Sequence, residues 1–306
     1  MTALGAVVGT AIDQLAGEPP VAWHPVARYG TAMRTVEERL YRDRRATGVA
    51  HVAVGVGIAA TAGYVTRRAL GRHVSTALAV AICAAGAMLD DEAHAMAALL
   101  RDEDLAAARE RVRSLVGRDA VELDAGELSR AVIESVAENL VDAVTATLWW
   151  GAVLGPVGAL GHRAVNTLDA MVGHHDDRYE HFGWASARLD DVVNYVPARL
   201  TAVAVAVARP HRACDVWRIV RRDARRHPSP NGGVVEAAFA AALGVTLGGV
   251  NRYDGTVEDR GALGDGGPPS VDSIGAAIRL RRHVTAIAAV ALGVAGAAGA
   301  SRRRDR

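Results

Sequence analysis

Apolar residues in this chain form continuous blocks rather than recurring at the regular spacing of a half-buried helix or strand. The clearest blocks cover residues 49 to 65, 74 to 89 and 284 to 300. A helix needs roughly 20 mostly apolar residues to cross a bilayer, so blocks of this length predict membrane-spanning helices. The first two blocks predict a helical hairpin whose helices approach closely, because small residues recur in the first block. These small residues are Gly55, Gly57 and Gly63.

Three less regular apolar segments extend this pattern. They cover residues 4 to 16, 144 to 160 and 196 to 208, and the last is short. The segment from 144 to 160 contains Gly155 and Pro156, so we expect it to bend or to re-enter the membrane rather than span it. The six segments together predict an all-α fold, a multi-pass integral membrane helical bundle, with residues 1 to 306 forming a single membrane domain.

The polar parts of the chain predict what lies outside the membrane. Residues 90 to 142 are strongly charged and are expected to be helical, with the stretch before Ser129 exposed to water. Residues 254 to 270 are rich in Gly, Asp and Pro, which is typical of a mobile loop. The arginines at 302 to 304 favour a cytoplasmic C-terminus, because positive charge is enriched on that side of membranes.

Composition excludes several classes of function. The chain contains no lysine, which excludes a phosphate-binding loop that depends on lysine and any Schiff-base chemistry. Cys83 and Cys214 are far apart and do not have the spacing of a zinc site or a disulfide framework. The formal net charge is +1, so no overall field favours nucleic acid as a partner.

An acidic helical face lies between residues 127 and 142. At about 100 degrees per residue, Glu134, Glu138 and Asp142 fall on one third of the helix circumference, together with Arg130. Like charges four residues apart destabilise a helix slightly, so the stack indicates a bound cation, and Mg²⁺ prefers carboxylates combined with substrate phosphates. The alternative is an ordinary acidic face exposed to water.

Two polar segments follow. Arg163, Asn166 and Asp169 are successive neighbours three residues apart on one predicted helix. The next segment runs from Phe182 to Arg199 and carries acids, Asn194 and two arginines at the border of an apolar run. Such groups are costly in a membrane unless they are paired or functional. The alternative is a structural network of arginine and aspartate at the membrane edge.

A turn rich in Pro and Gly forms the fourth polar segment. It runs from His227 to Glu236, and four arginines precede it between residues 221 and 226. Free backbone amides at the start of a helix bind anions readily, so this turn is a candidate phosphate site. The alternative is an ordinary N-capped turn.

Taken in order, these segments resemble the adenosylcobinamide-phosphate synthase family (CobD/CbiB). The resemblance runs from about residue 10 to residue 255, in a series of motifs rather than in one. The motifs are Asp13 to Pro20, His24 to Val26, Gly117 to Asp119, Glu134 to Asp142, Arg163 to Gly173, Phe182 to Arg199, His227 to Glu236 and Leu247 to Gly255.

The resemblance implies an ATP-dependent ligase. Members of this family join adenosylcobyric acid to (R)-1-aminopropan-2-ol O-phosphate, or a related amino alcohol, through an amide bond in cobalamin biosynthesis. ATP and Mg²⁺ are the expected cofactors. The expected location is the cell membrane, with an active site that cytoplasmic helices and loops build on the cytoplasmic face. Expected partners are these substrates, membrane lipid and other membrane-associated enzymes of cobalamin assembly, but no nucleic acid.

The candidate site residues follow from the motifs and the resemblance together. The candidates for general base are Glu134, Glu138, Asp142, Asp169, Asp190 and Asp191. Of these, the candidate Mg²⁺ ligands are Glu134, Glu138 and Asp142. The candidates for binding substrate and phosphate are Arg118, Arg163, Asn166, Arg188, Asn194, Arg199, His227, Ser229, Asn231, Gly232, Gly233 and Glu236.

Two other functional classes stay open. A different Mg²⁺-dependent transferase within the membrane, similar to a prenyltransferase, would also use acids at helix ends. A membrane sensor or transporter without enzymatic activity would need no nucleotide. A nucleotide-binding assay separates these classes from the ligase.

Overall fold

The computed structural model describes residues 2–18, 23–113, 115, 121–174, 177–253 and 256–304, and within them the chain is mostly helical. The helices are α1 (Ala3–Ala16), α2 (Pro25–Leu40), α3 (Arg45–Leu70), α4 (Arg72–Cys83), α5 (Gly86–Arg101), α6 (Leu105–Val112), α7 (Ala125–Leu140), α8 (Ala146–Leu154), α9 (Pro156–Val172), α10 (Trp184–Ala208), α11 (Ala213–Asp223), α12 (Gly232–Leu243) and α13 (Val271–Arg304). A π-helical segment, Val141–Thr145, joins α7 to α8.

Four helical segments in the described part of the chain are long and apolar enough to cross a bilayer. They are Arg45–Leu70, Arg72–Arg101, Trp184–Ala208 and Val271–Gly299. The prediction of an all-α, multi-pass membrane fold is therefore confirmed. Helix α1 is apolar but has only 14 residues, which is shorter than a bilayer crossing requires.

The chain divides into two compact units, each built from separate stretches of sequence. Unit 1 comprises Met1–Ala87, Asp142–Asn194 and Ala289–Arg306, and unit 2 comprises Met88–Val141 and Tyr195–Ala288. That residues 1 to 306 form a single membrane domain stays a prediction.

Small residues allow close helix packing in unit 1. A Cβ atom added at Gly63 of α3 would lie 2.7 Å from the Cα of Val157 in α9, whereas one at Gly57 would meet nothing within 4 Å. At Gly55, an added Cβ would meet Tyr29 and the side chain of Leu168. Close packing by small residues was expected between the two helices of the hairpin, but these glycines bring α3 against α9 and α2.

The segment from 144 to 160 does not form one helix. Helix α8 ends at Gly155, which has a φ of +72°, and α9 begins at Pro156. A positive φ suits glycine because it has no Cβ, and proline is favoured in the first turn of a helix. The expected bend therefore lies at Gly155, and re-entry of this segment into the membrane stays a prediction.

Helix α10 is longer than the predicted segment from 196 to 208, because it starts at Trp184 and continues through Pro197. A proline cannot donate to the carbonyl four residues earlier, which here belongs to Val193. Trp150 compensates for this loss, since its Nε1–H donates to the Val193 carbonyl oxygen at 3.0 Å. The polar residues from 188 to 194 therefore lie on the same helix as the apolar run.

The predicted loop from 254 to 270 is wrong for residues 256 to 263. Strand β1 (Leu247–Tyr253) pairs antiparallel with strand β2 (Thr256–Leu263), and residues 254 and 255 lie outside the described part. Leu247 faces Leu263, and both side chains are fully buried in unit 2. The pairing is irregular between Gly248 and Val250, and this irregularity obscures the alternation that would mark a strand in the sequence.

Candidate active site

On the acidic face of α7, Glu134 is buried, whereas Glu138 is partly exposed, so the face is not fully exposed to water. Glu134 accepts a hydrogen bond from the Gly248 backbone N–H at 2.7 Å, and its Oε1 lies 3.9 Å from Nε of Arg130. Arg130 in turn donates to the Gly248 carbonyl and, at 3.0 Å, to Oδ1 of Asn251. Glu134 thus attaches the β1–β2 hairpin to α7 within unit 2.

Glu138 lies one helical turn further along α7. Burial raises the pKa of its carboxyl group, the negative charge of Glu134 raises it further, and the positive charge of Arg260 on β2 lowers it. The sequence did not single out Arg260, because it lies in a segment predicted to be a loop. A carboxyl group with a raised pKa near a fixed positive charge is a suitable starting point for general acid–base chemistry.

The third predicted member of this face, Asp142, falls in the π-helical segment and belongs to unit 1. The wider turn of a π-helix changes the direction in which successive side chains point, so the calculation at 100 degrees per residue does not extend past Leu140. Among the described residues, no group of three or more His, Cys, Asp or Glu side chains could hold a metal ion. The Mg²⁺ ligand set stays a prediction.

The turn before α12 is held by its own side chains. The Ser229 N–H donates to Nδ1 of His227 at 3.1 Å, and the Oγ of Ser229 accepts from the amides of Asn231 (3.3 Å) and Gly232 (3.0 Å). The Gly233 amide donates to the Ser229 carbonyl at 3.2 Å. The amides expected to cradle a phosphate are therefore already bonded within the turn, which matches the N-capped alternative.

A histidine–carboxylate pair lies beneath this turn. Nε2 of His227 is 3.3 Å from Oε1 of Glu236, and both side chains are buried. Burial lowers the pKa of His227 to about 4, and the positive charge of Arg260 acts in the same direction. His227 is therefore neutral near pH 7, with its Nδ1 bonded to the Ser229 backbone and its Nε2 facing Glu236.

Arg199 is anchored by neutral acceptors. It donates to Oδ1 of Asn231 at 2.6 Å and to the Pro230 carbonyl at 2.9 Å, and its guanidinium lies 3.6 Å from the ring centroid of Tyr195. A cavity of about 670 Å³ opens beside it. Four predicted binding residues, Arg199, His227, Ser229 and Asn231, are thus brought together in unit 2.

Unit 1 contains a second polar cluster, where α9 and α10 face each other. Oδ1 of Asn194 is 2.8 Å from Nε2 of His162, and its Nδ2 donates to Asp190 at 2.9 Å. Asn166 also donates to Asp190, and the carboxylate of Asp169 is close enough to repel it. The structure therefore brings together four predicted site residues, Asp169, Asp190, Asn166 and Asn194, with His162, which was not among the predicted residues.

Arg163 links this helix to acids near the N-terminus of unit 1. It donates to Asn166 at 3.2 Å, and its charge acts on Glu18 and His24. Burial raises the pKa of Glu18, against the effect of Arg163, and burial together with Arg163 lowers the pKa of His24. Oε2 of Glu18 is 3.3 Å from Nε2 of His24. Glu18 and His24 belong to the family motifs and were not among the predicted site residues.

Two further predicted residues pair with each other. Arg188 and Asp191 form a long ion pair of 4.0 Å, and the side chain of Arg188 is 70% exposed. Exposed pairs contribute little, so this one fits a surface contact rather than a binding site. Arg118 lies outside the described residues.

The fold and these sites define a class of protein: a helical multi-pass membrane protein with buried clusters of acids and arginines. A family model described as CobD/Cbib protein matches residues 6–281. The chain therefore belongs to the CobD/CbiB family, as the resemblance predicted.

Relatives with curated names support this assignment. The cobalamin biosynthesis protein CobD of Mycobacterium tuberculosis is 44% identical over 297 residues, covering 94% of each chain. The protein of the same name from Chromobacterium violaceum is 42% identical over 289 residues, covering 91% of this chain and 92% of its own. One from Rhodobacter capsulatus is 50% identical over 165 residues, 54% of this chain and 52% of its own. No solved structure matches.

Proposed function

We propose that the chain is an adenosylcobinamide-phosphate synthase, which joins adenosylcobyric acid to an amino-alcohol phosphate in cobalamin biosynthesis with ATP as the energy source. The observation that supports this proposal is the family match over residues 6–281. This match includes both clusters of acids and arginines described above.

Amide formation requires activation of a carboxylate. ATP transfers its terminal phosphoryl group to the corrinoid carboxylate, which produces an acyl phosphate and ADP. The amine nitrogen then attacks the acyl carbon, the C–N bond forms, and phosphate leaves with the electrons of the C–O bond. The nitrogen must also lose a proton, so the reaction needs a base near the amine.

Glu138 is the best placed candidate for this base in unit 2. Its pKa is raised by burial and by Glu134, so it binds a proton more readily than an ordinary carboxylate. A raised pKa makes the ionised carboxylate a stronger base. Arg260 acts on the same carboxyl group and would keep a fraction of it ionised.

The oxygen ligands that Mg²⁺ prefers are present on Asp169, Asp190 and Asn166. Two carboxylates completed by substrate phosphates and water form a typical Mg²⁺ site, and the mutual repulsion of the two aspartates favours a cation. Glu134 already accepts the Gly248 amide and faces Arg130, so it fits this role less well. When bound, Mg²⁺ would neutralise charge on the nucleotide phosphates.

The proposed setting is the cell membrane, with the reacting groups on the cytoplasmic side. Four segments fit a membrane protein, and ATP is a cytoplasmic substrate. Membrane lipid and other membrane-associated enzymes of cobalamin assembly are the proposed partners.

The deciding experiment uses the purified full chain in detergent with adenosylcobyric acid, an amino-alcohol phosphate, Mg²⁺ and ATP. We expect one amide product and one ADP for each turnover. No amide product with ATP present would count against the ligase and favour the transferase similar to a prenyltransferase or the sensor or transporter. No product and no nucleotide binding would favour a sensor or transporter.

A further inference from the structure

The cavity beside Arg199 in unit 2 is strongly basic. Its volume is about 670 Å³, and its walls include Arg199, Arg221, Arg225, His227 and Pro228. No Asp or Glu side chain is among the described residues that line it. A cavity with three arginines and no carboxylate on its walls would attract an anion.

The structure separates the four arginines that precede the turn into two pairs. Arg222 and Arg226 are not among the residues that line the cavity, and they make ion pairs with the buried Asp223 at 2.6 Å and 3.4 Å. Arg221 and Arg225 line the cavity, and neither has an ion pair in the described part of the chain.

Arg199 reaches the same cavity from α10. It lies within the candidate membrane span Trp184–Ala208, and the partners described for it are neutral acceptors. A charged side chain within a membrane segment is costly, and it normally faces a polar cavity where it is functional. Placing Arg199 on the cavity wall satisfies this condition, and its anchors hold the guanidinium in position.

A neighbouring cavity provides a contrast within unit 2. It has a volume of about 270 Å³ and is lined by Arg212 and Arg218 together with Asp215 and Asp265. Arg218 is 2.8 Å from Asp215 and 2.6 Å from Asp265, so its charge is neutralised within the protein. The anion preference therefore belongs to the first cavity and not to arginine-rich surfaces of this unit in general.

A phosphate monoester matches this cavity in charge and in shape. It carries about −1.5 to −2 charges at pH 7 and three acceptor oxygens, and guanidinium groups bind such oxygens in pairs. A single carboxylate would leave most of the arginine charge unpaired.

We propose that Arg199, Arg221 and Arg225 form a subsite for a phosphate monoester, which holds the phosphate of the amino-alcohol substrate. The identity of this substrate rests on the proposed function, whereas the anion site rests on the cavity alone. The subsite would distinguish a phosphorylated amino alcohol from the free amino alcohol. The headgroup of phosphatidic acid has the same phosphate chemistry and is the competing source.

The first experiment measures binding of O-phosphoethanolamine and of ethanolamine to the full chain in detergent by calorimetry. The test variant is Arg221→Gln/Arg225→Gln, and the matched control is Arg212→Gln/Arg218→Gln, which removes the same charge from the same region. We expect the wild type and the control to bind phosphoethanolamine and not ethanolamine. We expect the test variant to bind about tenfold or more weakly, because two charge-assisted contacts are lost.

Equal affinities in all three proteins, or no binding by the wild type at millimolar concentrations, would overturn the subsite. A second arm repeats the titration in lipid nanodiscs with and without phosphatidic acid. Unchanged affinity supports a soluble phosphate ester. Competition by phosphatidic acid overturns the assignment to the amino-alcohol substrate.

Turnover separates this inference from the proposed function. If amide formation proceeds and Arg221→Gln/Arg225→Gln leaves the KM for the amino-alcohol phosphate unchanged, the subsite is wrong and the function stands. If the wild type forms no amide but its phosphoethanolamine binding needs both arginines, the function is wrong and the anion site stands.

Discussion

Nε2 of His227 lies 3.3 Å from Oε1 of Glu236, with both side chains buried beneath the turn that opens α12. An exposed histidine beside a carboxylate would usually gain a proton more easily. Here burial and the charge of Arg260 outweigh that effect, and the pKa of His227 falls to about 4. The pair is therefore a neutral imidazole beside a buried carboxylate, rather than an ion pair.

This pair predicts how stability depends on pH. The pKa of His227 is lowered on folding from 6.5 to about 4, so the unfolded chain binds the proton more tightly. The contribution of neutral His227 to the free energy of unfolding is fully present above pH 6.5. It is lost as the pH falls toward 4, and the loss reaches about 3 kcal/mol. We expect the difference in the free energy of unfolding between the wild type and His227→Gln to show this loss as the pH falls. His211→Gln, at an exposed position, should show the same dependence of stability on pH as the wild type. A difference between wild type and His227→Gln that does not change with pH would contradict the assignment.

Glu134 has a structural role besides any chemical one, because it accepts a hydrogen bond from the Gly248 backbone amide. Glu134→Ala leaves the buried Gly248 amide without its acceptor and should cost about 1–3 kcal/mol in the free energy of unfolding. Glu134→Gln retains an oxygen for that amide and should be nearly as stable as the wild type, while losing ligase activity if the charge matters. Denaturant unfolding and turnover measure the two effects. Full activity in Glu134→Gln would remove Glu134 from the list of charged catalytic candidates.

The charge of Asp190 is expected to lower the stability of the protein while it supports turnover. Asp190→Asn removes the repulsion from Asp169, so the Tm should stay unchanged or rise, while turnover should fall about 100-fold or more. Asp43→Asn is the control, because Asp43 is an exposed aspartate of unit 1 that pairs with His181. A variant of Asp190 that loses stability and activity together would show a purely structural role.

Helix packing in unit 1 predicts a contrast between two glycines of α3. Gly63→Ala would place a Cβ 2.7 Å from the backbone of Val157, which has to shift, and should destabilise the fold by about 1–3 kcal/mol. Gly57→Ala meets nothing and should be neutral or stabilising by up to about 1 kcal/mol. Thermal unfolding in detergent measures both. Equal Tm values for the two variants would disprove the close approach of α3 and α9.

The proposed cytoplasmic orientation can be tested with a natural probe. Cys214 is exposed and Cys83 is buried, so an impermeant maleimide should modify Cys214 only after cells are permeabilised. In a Cys214→Ser background, the exposed positions Val121→Cys and His174→Cys should behave in the same way. Labelling of any of these three on intact cells would place that region outside and contradict a cytoplasmic site.

Some elements of the fold could be predicted from short stretches of sequence, because the residues of each stretch determine them. The thickness of a bilayer sets the length of an apolar block, so the runs at 49 to 65, 74 to 89 and 284 to 300 predicted long apolar helices directly. Gly155 and Pro156 marked a break because each restricts its own backbone. The family motifs were likewise continuous stretches that one sequence displays.

Other elements depend on residues that are distant in sequence. Gly63 faces α9 rather than the adjacent helix, and the strands beside Gly248 form because two segments pair irregularly. The pattern of buried residues along one helix does not show which other element packs against that helix. For the same reason, the hairpin was predicted as a loop and Arg260 was overlooked.

The sequence by itself determined that this chain is a helical membrane protein of the CobD/CbiB family, with acids, arginines and a proline-rich turn as its polar motifs. Only the tertiary structure decided what those groups do. Arg222 and Arg226 meet Asp223, whereas Arg221 and Arg225 face a cavity, although all four look alike in the sequence. The physical reason is that the effect of a charge depends on its neighbours in space and on its burial, and folding sets both.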